Sequence, residues 1–128
     1  MSAAAPEIRV DDLVAIDMHV HVEADGHGHF ALDQELLDAS AAYFRSGADR
    51  TQTIDRIAAL YRDLRMAAVV FTVDASTALG QPPLSSVEIA EACRENADVL
   101  IPFGSVDPNN GADAVAHARV LIEDHGVR

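Results

Sequence analysis

Met66-Ala67-Ala68-Val69-Val70-Phe71-Thr72-Val73 is a continuous apolar run that stops at Asp74. A strand with one wet face alternates apolar and polar residues; this run does not. It suits a parallel strand buried on both faces. Helical patterns flank it. Residues 51–65 carry Ile54, Ile57, Ala58, Tyr61 and Leu64 along one stripe, with Asp55, Arg56, Arg62 and Asp63 mostly off it. Residues 33–46 form an earlier helix with Leu36, Leu37, Ser40, Tyr43 and Phe44 on one face, ended by Ser46-Gly47. On the other side, after the loop Gln81-Pro82-Pro83-Leu84, Ser85 and Glu88 make a capping-box signature. The helix it opens runs to about Asn96.

Further outward, Leu13 to Val22 reads as a first strand, apolar and β-branched at its start and polar at its far end. Val99 to Val106 reads as a third strand, one that begins late or is irregular because Pro102 lacks a ladder donor. Asp107-Pro108 resembles a helix start. The helix that follows has Val115, Ala118, Leu121 and Ile122 on its buried side and Gly126 as its stop. The order β-α-α-β-α-β-α predicts an α/β fold with parallel strands and right-handed crossovers.

Bulk composition narrows the function classes. The chain has 128 residues, of which 49% are hydrophobic and 23% charged, enough for one globular domain with a core. Its net charge is −12, carried against nine arginines and no lysine. Such a surface repels phosphate backbones and anionic lipid, so neither nucleic acid nor membrane is an expected partner. The absence of lysine removes Schiff-base chemistry within these residues. No basic, apolar leader opens the sequence, and the single cysteine, Cys93, excludes an intrachain disulfide and fits a reducing cytoplasm.

The chemistry concentrates where the first strand gives way to a loop, in Ile16-Asp17-Met18-His19-Val20-His21. Residues two apart on a strand share a face, so His19 and His21 project together as a pair of candidate metal ligands. They lie at the C-terminal end of a strand in a parallel sheet, where α/β barrels place their chemistry. Asp17, at i−2 from His19, is expected on the same face, either orienting an imidazole or simply ending the strand. His27 and His29 form a second pair in the glycine-flanked loop 23–30, read as site mouth or as surface loop. Asp74 and Asp107 follow the second and third strands as candidates for substrate contact or capping, capping being favoured for Asp107. His117 and His125 read as solvated, and Cys93 as a buried structural thiol.

At this point the sequence resembles a family. Ile16-Asp17-Met18-His19-Val20-His21 is similar to the N-terminal signature of the amidohydrolase superfamily, in its amidohydrolase-related branch of metal-dependent hydrolases and nonoxidative decarboxylases. Ile101-Pro102-Phe103-Gly104-Ser105-Val106-Asp107-Pro108 resembles that branch's third-strand segment, and Asp124-His125-Gly126-Val127-Arg128 the approach to its fourth strand.

The resemblance implies a (β/α)₈ barrel, with His19 and His21 as two ligands of a divalent metal, most suitably zinc. The remaining ligands and the acid/base aspartate are then expected beyond Arg128. A full barrel needs eight units and roughly 250 residues. Residues 1–12 therefore read as a lead-in and 13–128 as the N-terminal portion of the barrel, about its first three units, inactive alone. The expected activity is hydrolysis by metal-activated water, with decarboxylation or carbon–carbon cleavage as the alternative. The expected partner is a small-molecule substrate, an aromatic acid or an acyl-CoA derivative; homo-oligomerisation stays open. Competing readings are a self-contained, non-catalytic α/β binding module and a half that docks with a separately encoded remainder.

Overall fold

The computed structural model describes residues 7–45 and 53–128. The principal elements are β1 (Ala15–His21), α1 (Gln34–Phe44), α2 (Ile54–Leu64), β2 (Met66–Phe71), α3 (Ser76–Leu79), α4 (Ser86–Glu95), β3 (Leu100–Pro102) and α5 (Ala112–Glu123). Short 3₁₀ turns occupy Val10–Asp12 and Pro108–Asn110. The strands form one parallel sheet in the order β1-β2-β3, joined through helical connections as parallel pairing requires. The α/β alternation expected from the sequence is present. The readings placed on residues 1–6, on Ser46-Gly47 and on the helix start at Thr51 lie outside the described residues.

The apolar run becomes the central strand. Ala67, Ala68, Val69 and Val70 are each 0–1% exposed, because β2 has a neighbour on both edges and side chains over both faces. One face is covered by α2 and α4: Ile54, Ile57, Ala58 and Tyr61 with Ile89 and Cys93 pack on Val22, Ala68, Val70 and Leu100 in a single core cluster. The Arg62 guanidinium fastens α2 to the turn before β3. Its Nε and Nη2 donate to the two Asp98 carboxylate oxygens at 2.7 Å each, and Nη2 also donates to Asn96 Oδ1 at 2.8 Å. A bidentate fork of this kind fixes geometry more than it adds stability at a half-exposed site. Asp33 and Ser85 cap α1 and α4 by accepting from the backbone N–H of Leu36 and Glu88.

Four expectations need correction. The stripe read on α1 is not a buried face: Leu37 is buried, but Leu36, Tyr43 and Phe44 stand exposed. Periodicity records which face a helix can bury, not whether a partner lies opposite. In α2 the stripe holds except for Leu64, which is exposed at the helix end. In α5 the packed side is Ala114 and Leu121, whereas Val115 and Ile122 face outward. That helix begins at Ala112 rather than at Pro108, because Gly111 (φ 56°) turns the chain between the 3₁₀ turn and the helix.

The third strand is only three residues long. Phe103 still donates to Val70 O, but beyond it the chain turns toward α5. A Cβ at Gly104 would sit 3.1 Å from both Leu121 Cδ1 and Val127 Cγ2, so a larger residue there would push those side chains back by a few tenths of an ångström. Pro102 costs the sheet no donor toward β2, since its carbonyl faces the outer edge, where it accepts from Arg128 N at 3.0 Å. No helix among the described residues is long and apolar enough to cross a membrane.

Candidate metal centre

The site is shaped by an irregularity in β1. Ala15, Ile16 and Asp17 pair with Met66, Ala67 and Ala68, but the next pairs are Val20 with Val70 and His21 with Phe71. One extra residue is accommodated between Asp17 and Val20, a β-bulge. Alternation is broken there, and Asp17 falls on the same face as Val20, against the helices. Its Oδ2 accepts from the Tyr61 hydroxyl at 2.6 Å and its Oδ1 from the backbone N–H of His19 at 3.0 Å.

Asp17 therefore does not share a face with His19. The Tyr61 hydroxyl, and then the His19 N–H, hold its carboxyl below the ordinary aspartate range. Burial, followed by the Asp17 hydrogen bond, pushes the Tyr61 phenol up to about 12. Tyr61 was legible only as a core residue; nothing in its spacing signals that its hydroxyl reaches β1.

Beyond the bulge the strand is regular, and His19 and His21 point to the face away from α2 and α4. Their Nε2 atoms lie 3.0 Å apart, with ring centroids 4.9 Å apart and planes tilted by 23°. Phe71, the register partner of His21, meets both rings edge-on at 5.1 and 4.9 Å. Ile16 and Met18 are exposed nearby. The two nitrogens thus converge on one point at an open, apolar-floored surface. At that distance the two nitrogens are within hydrogen-bond reach of each other, with the donor set by the tautomer.

A tetrahedral ion with Zn–N bonds of ~2.0–2.1 Å places two nitrogens roughly 3.3–3.4 Å apart, so a small opening of the pair would admit one. Zinc usually takes three or four protein ligands. Among the described residues, no group of three or more His, Cys, Asp or Glu side chains is arranged to hold a metal. His19 and His21 offer two imidazole donors at a spacing close to what such an ion needs.

The other candidate residues have structural work. Asp25 organises the loop after β1: its Oδ1 accepts from the N–H groups of His27 and His29 at 2.8 Å, and its Oδ2 lies 2.6 Å from His29 Nδ1. Burial opposes ionisation of Asp25, but these partners, led by the His29 N–H, still hold its carboxyl down at about 2. The imidazoles of His27 and His29 are exposed and line a cleft of about 510 Å³ with Glu88 and Pro82, away from His19.

Asp107 is buried and binds the loop after β3 to α3. It accepts from Thr77 N at 2.7 Å through Oδ2 and from Asn109 N at 2.9 Å through Oδ1. The Thr77 side chain and N–H hold its carboxyl well below the usual range. Asp74 accepts from Ser76 N, while its own N–H donates to Ser105 Oγ. Asp107 thus caps the 3₁₀ turn, the reading favoured for it, and the bridge to α3 was not foreseen. His117 is exposed, as read. His125 is not simply solvated: its Nδ1 is buried without a hydrogen-bond partner, 3.8 Å from Glu91 Oε1. Cys93 lies in the core, where burial raises its thiol to about 12, in keeping with a structural thiol.

Sequence reasoning did not find the concavity of about 340 Å³ beside His21, whose walls include Leu37, Val73 and Leu79. Those side chains come from three separate segments, and no local pattern links them. No protein-family model, curated protein or solved structure matches this chain.

Proposed function

We propose that this chain is part of a metal-dependent hydrolase of the amidohydrolase-related class, with His19 and His21 as two ligands of a divalent ion. The observation that carries this reading is the convergence of the two Nε2 atoms, 3.0 Å apart, at the C-terminal end of β1 on the face of the parallel sheet opposite α2 and α4. Zinc is the ion best matched to imidazole donors that need no redox chemistry. The barrel reading has its own support at the outer edge of β3. There Pro102 O already accepts from Arg128 N, along the direction a further strand would use.

The chain's residues would divide the work. When bound, the ion lowers the pKa of water to ~7 and polarises a carbonyl. His19 and His21 would hold it through Nε2, each ring keeping its remaining proton on Nδ1. Phe71 limits the tilt of both rings through its edge contacts. The clamp of Tyr61 on Asp17 fixes the bulge, and so fixes the point at which the two imidazoles leave the strand.

Zinc titration of the full chain, followed by calorimetry, tests the proposal. His19→Ala/His21→Ala is expected to weaken binding at least about tenfold, or about 1.4 kcal/mol. His27→Ala/His29→Ala is the control and is expected to leave the affinity unchanged. Equal zinc affinity in the wild-type chain and the His19/His21 variant removes the proposal.

A further inference from the structure

The concavity beside His21 has a composition that restricts what it takes. Its back wall is Leu37, which is buried, and its sides include Leu32 from the loop, Val73 after β2 and Leu79 of α3. Val73 and Leu79 are 47% and 43% exposed although they frame a hollow, so the described residues leave their apolar surface unfilled. Its volume, about 340 Å³, lies at the lower end of the range for small-molecule pockets, roughly 300–1,000 Å³. Among the described residues the polar side chains on its wall are His21 and the acidic Glu23, with no arginine. His21 of the converging pair thus lies on one edge of this hollow. The rest is hydrocarbon, with an acid that disfavours a second negative charge.

We propose that this hollow is an acyl pocket, binding an uncharged apolar group, a benzyl ring or a short branched alkyl chain, attached to the carbonyl that reacts at His19 and His21. The inference rests on the reading of those histidines as metal ligands. It also sharpens the substrate class, since an aromatic acid would have to direct its carboxylate away from Glu23. Apolar contact supplies the affinity here, and adjacency to His21 supplies the orientation.

The test uses the full chain, isotope-labelled and metal-free, titrated with benzyl alcohol and separately with benzoate while amide and methyl resonances are followed. Benzyl alcohol is expected to give saturable shifts centred on Leu37, Val73 and Leu79, and benzoate to bind at least about tenfold more weakly. Val73→Trp, which fills the hollow from an exposed position, is expected to abolish the shifts. Leu79→Asp, which adds a charge, is expected to do the same should the tryptophan variant fail to fold. His19→Ala, which leaves the pocket wall intact, is expected to lose zinc binding yet keep benzyl alcohol affinity within about twofold.

Absence of saturable shifts, equal binding of benzoate, or retained binding in a folded pocket variant overturns the pocket. Zinc binding at His19 and His21 without benzyl alcohol binding overturns the pocket alone. Benzyl alcohol binding without zinc binding overturns the proposed hydrolase, and the acyl assignment with it.

Discussion

The two faces of the three-stranded sheet are built differently. On one, Val22, Ala68, Val70 and Leu100 disappear beneath Ile57, Ile89 and Cys93 of α2 and α4. On the other, Ile16 and Met18 are exposed, and the most reactive side chains of β1, His19 and His21, stand in the open. A single strand serves both faces because the bulge commits Asp17 to the helices and still lets the next two histidines face away. The difference teaches that burial and chemistry are segregated. Full burial of an aliphatic side chain contributes ~1.5–3 kcal/mol. Imidazoles left near water keep their donor capacity without a desolvation cost.

The largest expected effect would break this comparison if it failed. Ile57→Ala removes a fully buried side chain from the helix-covered face and is expected to cost about 2–5 kcal/mol in denaturant unfolding. Met18→Ala, on the open face, is expected to change stability by no more than about 0.5 kcal/mol. Comparable losses would mean that the two faces are not distinct.

A subtler experiment sharpens the division at Asp17. Its folded-state pKa is lowered from 3.8, so the stability it contributes is present above pH 3.8 and is lost as pH falls through the folded value. Tyr61→Phe removes the main cause of that shift. The variant is expected to show a shallower acid loss of stability below pH 3.8 than the wild-type chain, measured by unfolding at a series of pH values. An unchanged slope would detach Asp17 from the helix face.

The smallest effect concerns the entry to β2. Arg65 ends α2 in the left-handed region at φ 52°, where its backbone carbonyl accepts from Val14 N. Glycine adopts that conformation without a Cβ penalty. Arg65→Gly is expected to raise stability by about 0.5–1 kcal/mol and shift the thermal midpoint upward by a few degrees. A loss would show that the arginine side chain has a role at that junction.

Much of the architecture was legible in residues 13–128 because it rests on local rules. A run apolar at every position, Met66 to Val70, can be buried only between two layers, and it became the central strand. Ser85 announced α4 through its own side chain, and the stripe of α2 named most of the residues that reach the core. The i, i+2 spacing of His19 and His21 foretold a shared face, because no irregularity falls between them.

What the tertiary structure alone decided involves groups distant in sequence. The bulge that sends Asp17 to Tyr61, 44 positions away, depends on pairing with β2 and on the placement of α2. Asp107 bridges to Thr77 across 30 positions, and among the described residues Leu37 alone of the large apolar side chains in the α1 stripe is buried. The hollow beside His21 has no sequence signature, since Leu37, Val73 and Leu79 meet only after the sheet has formed. Periodicity and capping are properties of neighbours along the chain. Register, cover and concavity belong to the packed whole, and they determine what surrounds the two histidines.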